Sequence, residues 1–512
     1  MIAAAILAAL LVAGCTTAHQ AVLAAAASAP VAAGQRRNAS PPRNSVNELQ
    51  RDISRLLAPT SERATWGVVV KSLAKNDTLY ALNSRKLFLP ASNMKLATLA
   101  AAADRLGWAY SYETRLIGLG TLHPSGFLDG DLLVVGSGDP SIDDWDGGAT
   151  RLFQGWAEQL KANGVTSIGG RIIGDDNAFD EETLGMGWAW DDLTRSFATG
   201  VGALQFNENT ARLMIVPASI VGQPPLIGVA APGAPIALSN QLTTVRSAAV
   251  PPIEVRRLLG SPVVELRGSV PIRSGPVFRN VSVDNPTQYF VNQLRDALEA
   301  NEIDVFGAAV DIDTLAEPPR REDGILLLAS HSPSLSSLAA TMMKLSQNLF
   351  AETLLKTLGG SSQPATVEAG RLVVQSTLTS WGIDKADVHI ADGSGLSPYN
   401  LATPSALVAI LTRGARDARL RGPFEEALPI AGRDGTLAHR LKGTAAEGNV
   451  RAKTGSLSNA RAISGYVSSA DGEPLVFSIL ANNFGRSADA VETAADAIIV
   501  RLAEFTRTAP RR

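Results

Sequence analysis

A single cysteine, Cys15, stands in 512 residues, so neither a disulfide framework nor a cysteine-based zinc site can be assembled. Histidine is almost as scarce. His19, His123, His331, His389 and His439 are scattered, with no two at ligand spacing, which removes the usual metal-ligand patterns. Charge of one sign is missing too: 46 basic against 49 acidic residues leave a net charge of −3. The charges are interspersed, with no basic stripe of the kind that binds nucleic acid. No apolar run reaches the roughly 20 residues a membrane-spanning helix needs; the one at Met1 to Val12 is too short. Metal catalysis and a nucleic-acid partner are therefore not expected, and any contact with a membrane would run through a lipid anchor.

What remains is an ordinary globular composition, 45% hydrophobic and 19% charged, in a chain long enough for two or three domains. The first 15 residues read as an export signal, the apolar run supplying its h-region. Leu11-Val12-Ala13-Gly14-Cys15 resembles a bacterial lipobox, in which the cysteine becomes the lipidated first residue. A plain signal cleaved within Ala24 to Ala33 is the other reading of the same residues. The destination is the periplasm or cell envelope. Residues 16–45, rich in Ala, Ser, Pro and Arg, read as a flexible tether.

Folded structure is expected from a helix near Val46 to Leu57. Trp66 to Ser72 and Thr78 to Leu82 flank Ala74-Lys75-Asn76-Asp77, a strand–turn–strand pattern. Ser92 to Leu106 reads as a helix, with Pro90 before it and Gly107 after it. From 112 to 315 the texture turns β-rich. Runs such as Leu132 to Val135, Arg171 to Gly174, Ala211 to Val216, Ile253 to Leu258 and Pro262 to Gly268 are broken by Gly, Pro and Asp turns. Helical patterning returns at Leu335 to Met343, Asn348 to Leu358, Val367 to Trp381 and Pro404 to Asp417. Two strands follow near Ala460 to Ser468 and Pro474 to Ala481, then an amphipathic helix from Ser487 to Glu504. Helices and strands mix without regular βαβ alternation, which indicates an α+β class.

Three short strings carry chemistry. Ser92-Asn93-Met94-Lys95 places a hydroxyl and an amine three apart on a helix face, where a desolvated lysine can take the serine proton. Alone it is weak: about two Ser-x-x-Lys strings arise by chance in this length, and a surface helix start fits as well. Lys453-Thr454-Gly455 is rarer by chance. With Ser456 it fits an edge strand presenting a lysine and a hydroxyl to an anion and a backbone N–H to an oxyanion; a strand end with a turn glycine is the plainer reading. Ser346-Gln347-Asn348, in a loop before a helix, could relay a proton and orient an amide, or simply cap the helix.

Together and in this order, the three strings resemble the signature of the penicillin-recognising serine enzymes. The roughly 250-residue gap between Ser92 and Ser346 resembles the insertion of their D-Ala-D-Ala carboxypeptidase/endopeptidase branch, the low-molecular-mass class C penicillin-binding proteins. Further strings are similar to that family: Ser137-Gly138-Asp139-Pro140-Ser141, Gly187-Trp188-Ala189-Trp190-Asp191-Asp192-Leu193, Phe206-Asn207-Glu208-Asn209, Lys344 to Glu352 and Asp392-Gly393-Ser394-Gly395-Leu396-Ser397. The resemblance spans roughly Val46 to Phe505. It implies a transpeptidase-like catalytic domain, an antiparallel sheet flanked by helices, formed by 46–111 and 316–512 around the 112–315 insertion. It implies peptidoglycan stem peptides as substrate, β-lactam antibiotics as acylating ligands, and no cofactor.

Carried over residue by residue, the resemblance makes Ser92 the nucleophile, Lys95 its general base, and Ser346 with Lys453 the proton relay to the leaving D-Ala. Asn348 would hold the peptide amide, and Lys453 and Thr454 the terminal carboxylate. Backbone N–H groups of Ser92 and Ser456, beside Gly455, would bind the oxyanion. Asp191, near Trp188, would recognise the free amine of the stem peptide's diamino acid; a solvated turn is the other reading of Asp191-Asp192. The rivals are a serine β-lactamase, which the long insertion argues against, and a penicillin-acylated sensor without turnover. Gly393-Ser394-Gly395 lacks the spacing of a lipase elbow and fits a loop packed under the active site.

Overall fold

The structure, a computed structural model, describes residues 45–507 except 232, 248–251, 258–260, 361–363 and 486–487. Its centre is a five-stranded antiparallel sheet that the chain enters from both ends. From one edge the order is Arg451–Leu457, Ala460–Ser468, Pro474–Asn482, Thr65–Ser72 and Thr78–Leu82. Trp66 to Val70 are all buried, a run without alternation, because helices cover both faces.

On one face lie the first and last helices, Val46–Leu57 and Ala488–Ala503. They bury Leu49, Ile53, Ile498 and Leu502 against Trp66, Val68 and Val70 of the sheet. Ser45 caps the first helix by accepting the Glu48 N–H, and Arg501 Nε joins the pair by donating to Asp52 Oδ2 at 2.9 Å. The opposite face holds Met94–Arg105, Asn348–Leu358 and Pro404–Arg416. Met94 to Ala103 are buried all round, as a helix inside a domain must be. Its run of alanines lets neighbouring helices approach closely.

The stretch from 113 to 331 forms a mixed sheet of its own. Glu113–Leu122 pairs antiparallel with Phe127–Val135 and with Ile325–His331. Phe127–Val135 pairs in parallel with Ser167–Ile168 and Ile172–Asp175, and these with Asp304–Val305 and Ala309–Asp311. Parallel neighbours need crossovers. The helices Gly148–Ala162 and Pro286–Ala300 supply them, and the sequence reading names neither. Two three-stranded sheets complete the β-rich region: one of Glu254–Arg257, Val263–Pro271 and Ala237–Val245, the other of Val277–Ser282, Thr210–Val216 and Leu226–Val229. Phe153, Trp156, Tyr289 and Phe290 fill the core between them. The strand Ile325–His331 lies beyond 315, the residue at which the sequence reading ends the insertion, and pairs with the insertion's first strand.

The helix Asn348–Leu358 is the shared wall of the two parts. From it, Thr353 Oγ1 accepts from Gln205 Nε2 at 3.1 Å and Lys356 pairs with Asp180 at 2.6 Å. No helix among the described residues is long and apolar enough to cross a membrane. Cys15, the export signal and all but the last residue of the tether lie outside the described residues.

Candidate active site

Ser92 sits in a single 3-10 turn, Ala91–Asn93, that runs straight into the helix Met94–Arg105. The sequence reading starts the helix two residues earlier. The tighter turn follows from Ala91, whose φ of +46° is left-handed backbone for a residue with a Cβ. Such conformations persist only where surroundings enforce them, and they cluster at functional sites. Here Gly395 and Gly455 press on the turn. A Cβ on Gly395 would lie 1.8 Å from the Ala91 carbonyl oxygen, and one on Gly455 would lie 3.0 Å from the Ser92 nitrogen.

Lys95, one helical turn on, is fully buried. Its Nζ lies 3.2 Å from Ser92 Oγ, 2.6 Å from Asn348 Oδ1 and 2.8 Å from the Ser394 carbonyl. Burial pushes its amine down to about 7, although Glu352 and Asp392 pull the other way. A neutral amine has two N–H donors and one lone pair. With Asn348 and Ser394 taking the donors, the lone pair faces the Ser92 hydroxyl, which is the geometry a general base needs.

The other two strings reach the same place from different elements. Ser346 has a φ of +60° in the loop before the helix Asn348–Leu358, and its Oγ accepts from Lys453 Nζ at 2.8 Å. Lys453 lies on the edge strand Arg451–Leu457, as its pattern predicts, and is fully buried. Burial, reinforced by the nearby Lys95 charge, holds its amine well below the usual lysine range. Asn93, from the serine turn, donates to the Lys453 carbonyl at 3.0 Å and so fastens strand to helix. Thr454 is half-buried and shares a 2.7 Å hydrogen bond with Thr436, and Ser456 is exposed beyond Gly455. Asn348 also donates to the Phe197 carbonyl of the insertion at 2.8 Å.

Ser92, Lys95, Ser346, Asn348 and Lys453 are therefore brought together, with Thr454, Gly455 and Ser456 alongside. Trp188 reaches the same region indirectly, its indole donating to Asp392 Oδ2 at 3.0 Å, while Asp191 is exposed three residues further on. Beneath them lies the loop of Gly393-Ser394-Gly395, packed under the site as its sequence suggests, with two acids, Glu352 and Asp392, that carry no role in the sequence analysis. Glu352 and Asp392, both buried, organise the loop Asp392 to Ser397 that supplies the third partner of Lys95. Burial and the Asp392 charge push the Glu352 carboxyl up.

The chain has relatives. The profile of the D-Ala-D-Ala carboxypeptidase 3 (S13) family matches residues 49–505. A D-alanyl-D-alanine carboxypeptidase of Actinomadura sp. (strain R39) is 34% identical over 473 residues, 90% of this chain and 85% of that one. The D-alanyl-D-alanine carboxypeptidase DacB of Haemophilus influenzae is 28% identical, over 85% of this chain and 88% of its own. The crystal structure of penicillin binding protein 4 from Haemophilus influenzae superposes with a TM-score of 0.78 at 27% identity, covering 89% of this chain and 99% of that one. A second structure of that protein, complexed with a β-lactam, superposes at 0.72 and 25% identity. With the family profile running through all three active-site strings, this chain belongs to the D-Ala-D-Ala carboxypeptidase 3 (S13) family.

Proposed function

We propose that this protein is a serine-type D-Ala-D-Ala carboxypeptidase/endopeptidase that cleaves peptidoglycan stem peptides through an acyl-enzyme and is acylated by penicillins. The observation that carries this reading is the buried, depressed Lys95 amine 3.2 Å from Ser92 Oγ. In the proposed reaction Lys95 takes the Ser92 proton as Oγ adds to the carbonyl of the penultimate D-Ala. The oxyanion accepts hydrogen bonds from the Ser92 and Ser456 N–H groups. Ser346, paired with Lys453, passes its hydroxyl proton to the departing D-Ala nitrogen and regains one from the protonated Lys95, so that the C–N bond breaks with Lys95 neutral again. Asn348 holds the peptide amide, while Lys453 and Thr454 receive the terminal carboxylate. Water then attacks the ester, giving its proton to the neutral Lys95, which returns it to Ser92 Oγ as the C–O bond breaks and the shortened peptide leaves.

A division into a catalytic domain and an insertion belongs to this proposal, with the insertion running past 315 to take in the strand Ile325–His331 and its Trp188 meeting Asp392 of the catalytic part. Asp191, which is exposed, would accept the amine of the substrate's diamino acid. Export to the cell envelope and lipidation of Cys15 complete the proposal, and globomycin-sensitive processing in a bacterial host tests the lipid anchor. For the activity itself, D-Ala release from a purified pentapeptide muropeptide is the assay. Release by the wild type and none by Ser92→Ala is expected; equal release by both would overturn the reading.

A further inference from the structure

The loop Asp392 to Ser397 is held from three sides, and each hold has a bearing on Lys95. Glu352, on the helix Asn348–Leu358, accepts the N–H of Gly393 at 2.9 Å and of Ser394 at 2.7 Å, one with each carboxylate oxygen. Thr98, one turn beyond Lys95, donates to the Gly393 carbonyl at 2.7 Å. With both N–H groups and one carbonyl committed, the Ser394 carbonyl is left facing Lys95 at 2.8 Å. Asp392, wholly buried, accepts from Gly395 N at 2.7 Å, Ser397 N at 2.6 Å and Asn400 Nδ2 at 2.7 Å. Its remaining partner is the Trp188 indole of the insertion, at 3.0 Å.

We propose that Glu352 is the positioning residue that aims the Lys95 lone pair at Ser92, acting through the Ser394 carbonyl, and that Asp392 ties the same loop to Trp188, so the insertion and the helix wall hold it jointly. The inference rests on the function proposed above. The physical reason is one of directions. Lys95 has no hydrogen bond to either carboxylate, so neither can serve as its immediate proton acceptor. An amine on a flexible four-carbon stem nevertheless needs its two N–H groups fixed if its third position is to face one hydroxyl. Asn348 fixes one. The other depends on a backbone carbonyl in a loop, and a loop keeps such a direction only when its own peptide groups are committed. Burying two carboxylates to do this is costly unless they are fully hydrogen-bonded, and Asp392 takes four donors.

The two roles of Glu352, charge and direction, separate in the pH profile. The ionisable groups facing Lys95 are Glu352 from the helix wall, Asp392 from the loop and Lys453 from the edge strand. Glu352→Gln removes a carboxyl that favours the lysine proton wherever it is ionised, although burial pushes it up, and puts an NH2 where an N–H must be accepted. The rate of acylation by benzylpenicillin is expected to fall about 10- to 100-fold at its plateau, and the acidic limb of the profile to move to lower pH. Glu352→Asp keeps the charge but is too short to span both N–H groups; its plateau is expected to fall while the limb stays in place. Trp188→Phe, on a partly exposed loop, keeps the ring and loses only the donor to the buried Asp392, and an acylation rate reduced about 3- to 10-fold per folded molecule is expected beside a modest loss of thermal stability.

A Glu352→Gln enzyme whose loss only tracks its folded fraction, with the limb unmoved, would reduce Glu352 to a structural role and overturn the proposal. A Trp188→Phe enzyme acylated at the wild-type rate would overturn its second half, and it keeps the test decisive should the Glu352 variants fail to fold. Absence of any Ser92 adduct in the wild type would be a different failure, that of the parent reading.

Discussion

Lys453 donates to the Ser346 hydroxyl at 2.8 Å across 107 residues of sequence, joining the edge strand of the sheet to the loop that begins the helix wall. Both residues belong to short strings that are individually unremarkable. Their contact turns two candidate caps and turns into one proton path. Ser346→Ala should leave the fold intact, because Ser346 is only half-buried, while lowering D-Ala release about 100-fold or more. Far-UV circular dichroism together with a peptidase assay checks both halves of that expectation.

Acylation should depend on pH through Lys95. Its amine acts as a base only when neutral, and burial lowers it to about 7. The free-amine fraction, and with it the acylation rate, should rise with pH through that value and level off above it. Stopped-flow acylation by benzylpenicillin over about pH 5 to pH 9 reads this limb. A flat profile would remove Lys95 as the base.

Gly395 should tolerate no side chain. Its φ is +85° and a Cβ would meet the Ala91 carbonyl oxygen at 1.8 Å, a backbone contact that cannot swing away. Gly395→Ala should destabilise the protein by about 2–3 kcal/mol and displace the Ser92 turn, so loss of stability and loss of acylation appear together. Denaturant unfolding and penicillin labelling of the same sample compare them.

Far from the site, Asp52→Ala should separate stability from chemistry. Arg501 is 8% exposed and its Nε donates to Asp52, so removing the carboxylate strands a buried guanidinium at a cost of about 3 kcal/mol. Thermal unfolding should shift while acylation per folded molecule stays at the wild-type level.

How much of this was legible in the sequence follows from the range of the forces involved. The helices Val46–Leu57 and Asn348–Leu358 and the strands Thr78–Leu82 and Ala460–Ser468 match their patterns to the residue, since caps, turns and periodicity are local. The three strings were readable for the same reason, as each places its groups within one turn or strand. The parallel pairing of Leu132 to Val135 with Ile172 to Asp175 is set by distant register and leaves no local mark. Asn285-Pro286 does announce the helix Pro286–Ala300, with the asparagine capping and the proline in its first turn. Glu352 and Asp392 announce nothing of the kind. A glutamate on an apolar helix and an aspartate in a glycine-rich loop look like solvated charges until the fold buries one against the other's loop.

The most direct test of the central claim is mass spectrometry of the intact protein and its peptides after incubation with benzylpenicillin. The account predicts one adduct, mapped to Ser92 and absent in Ser92→Ala. No adduct and no hydrolysis of the drug would mean that Ser92, Lys95, Ser346 and Lys453 do not act as one site, and would contradict it.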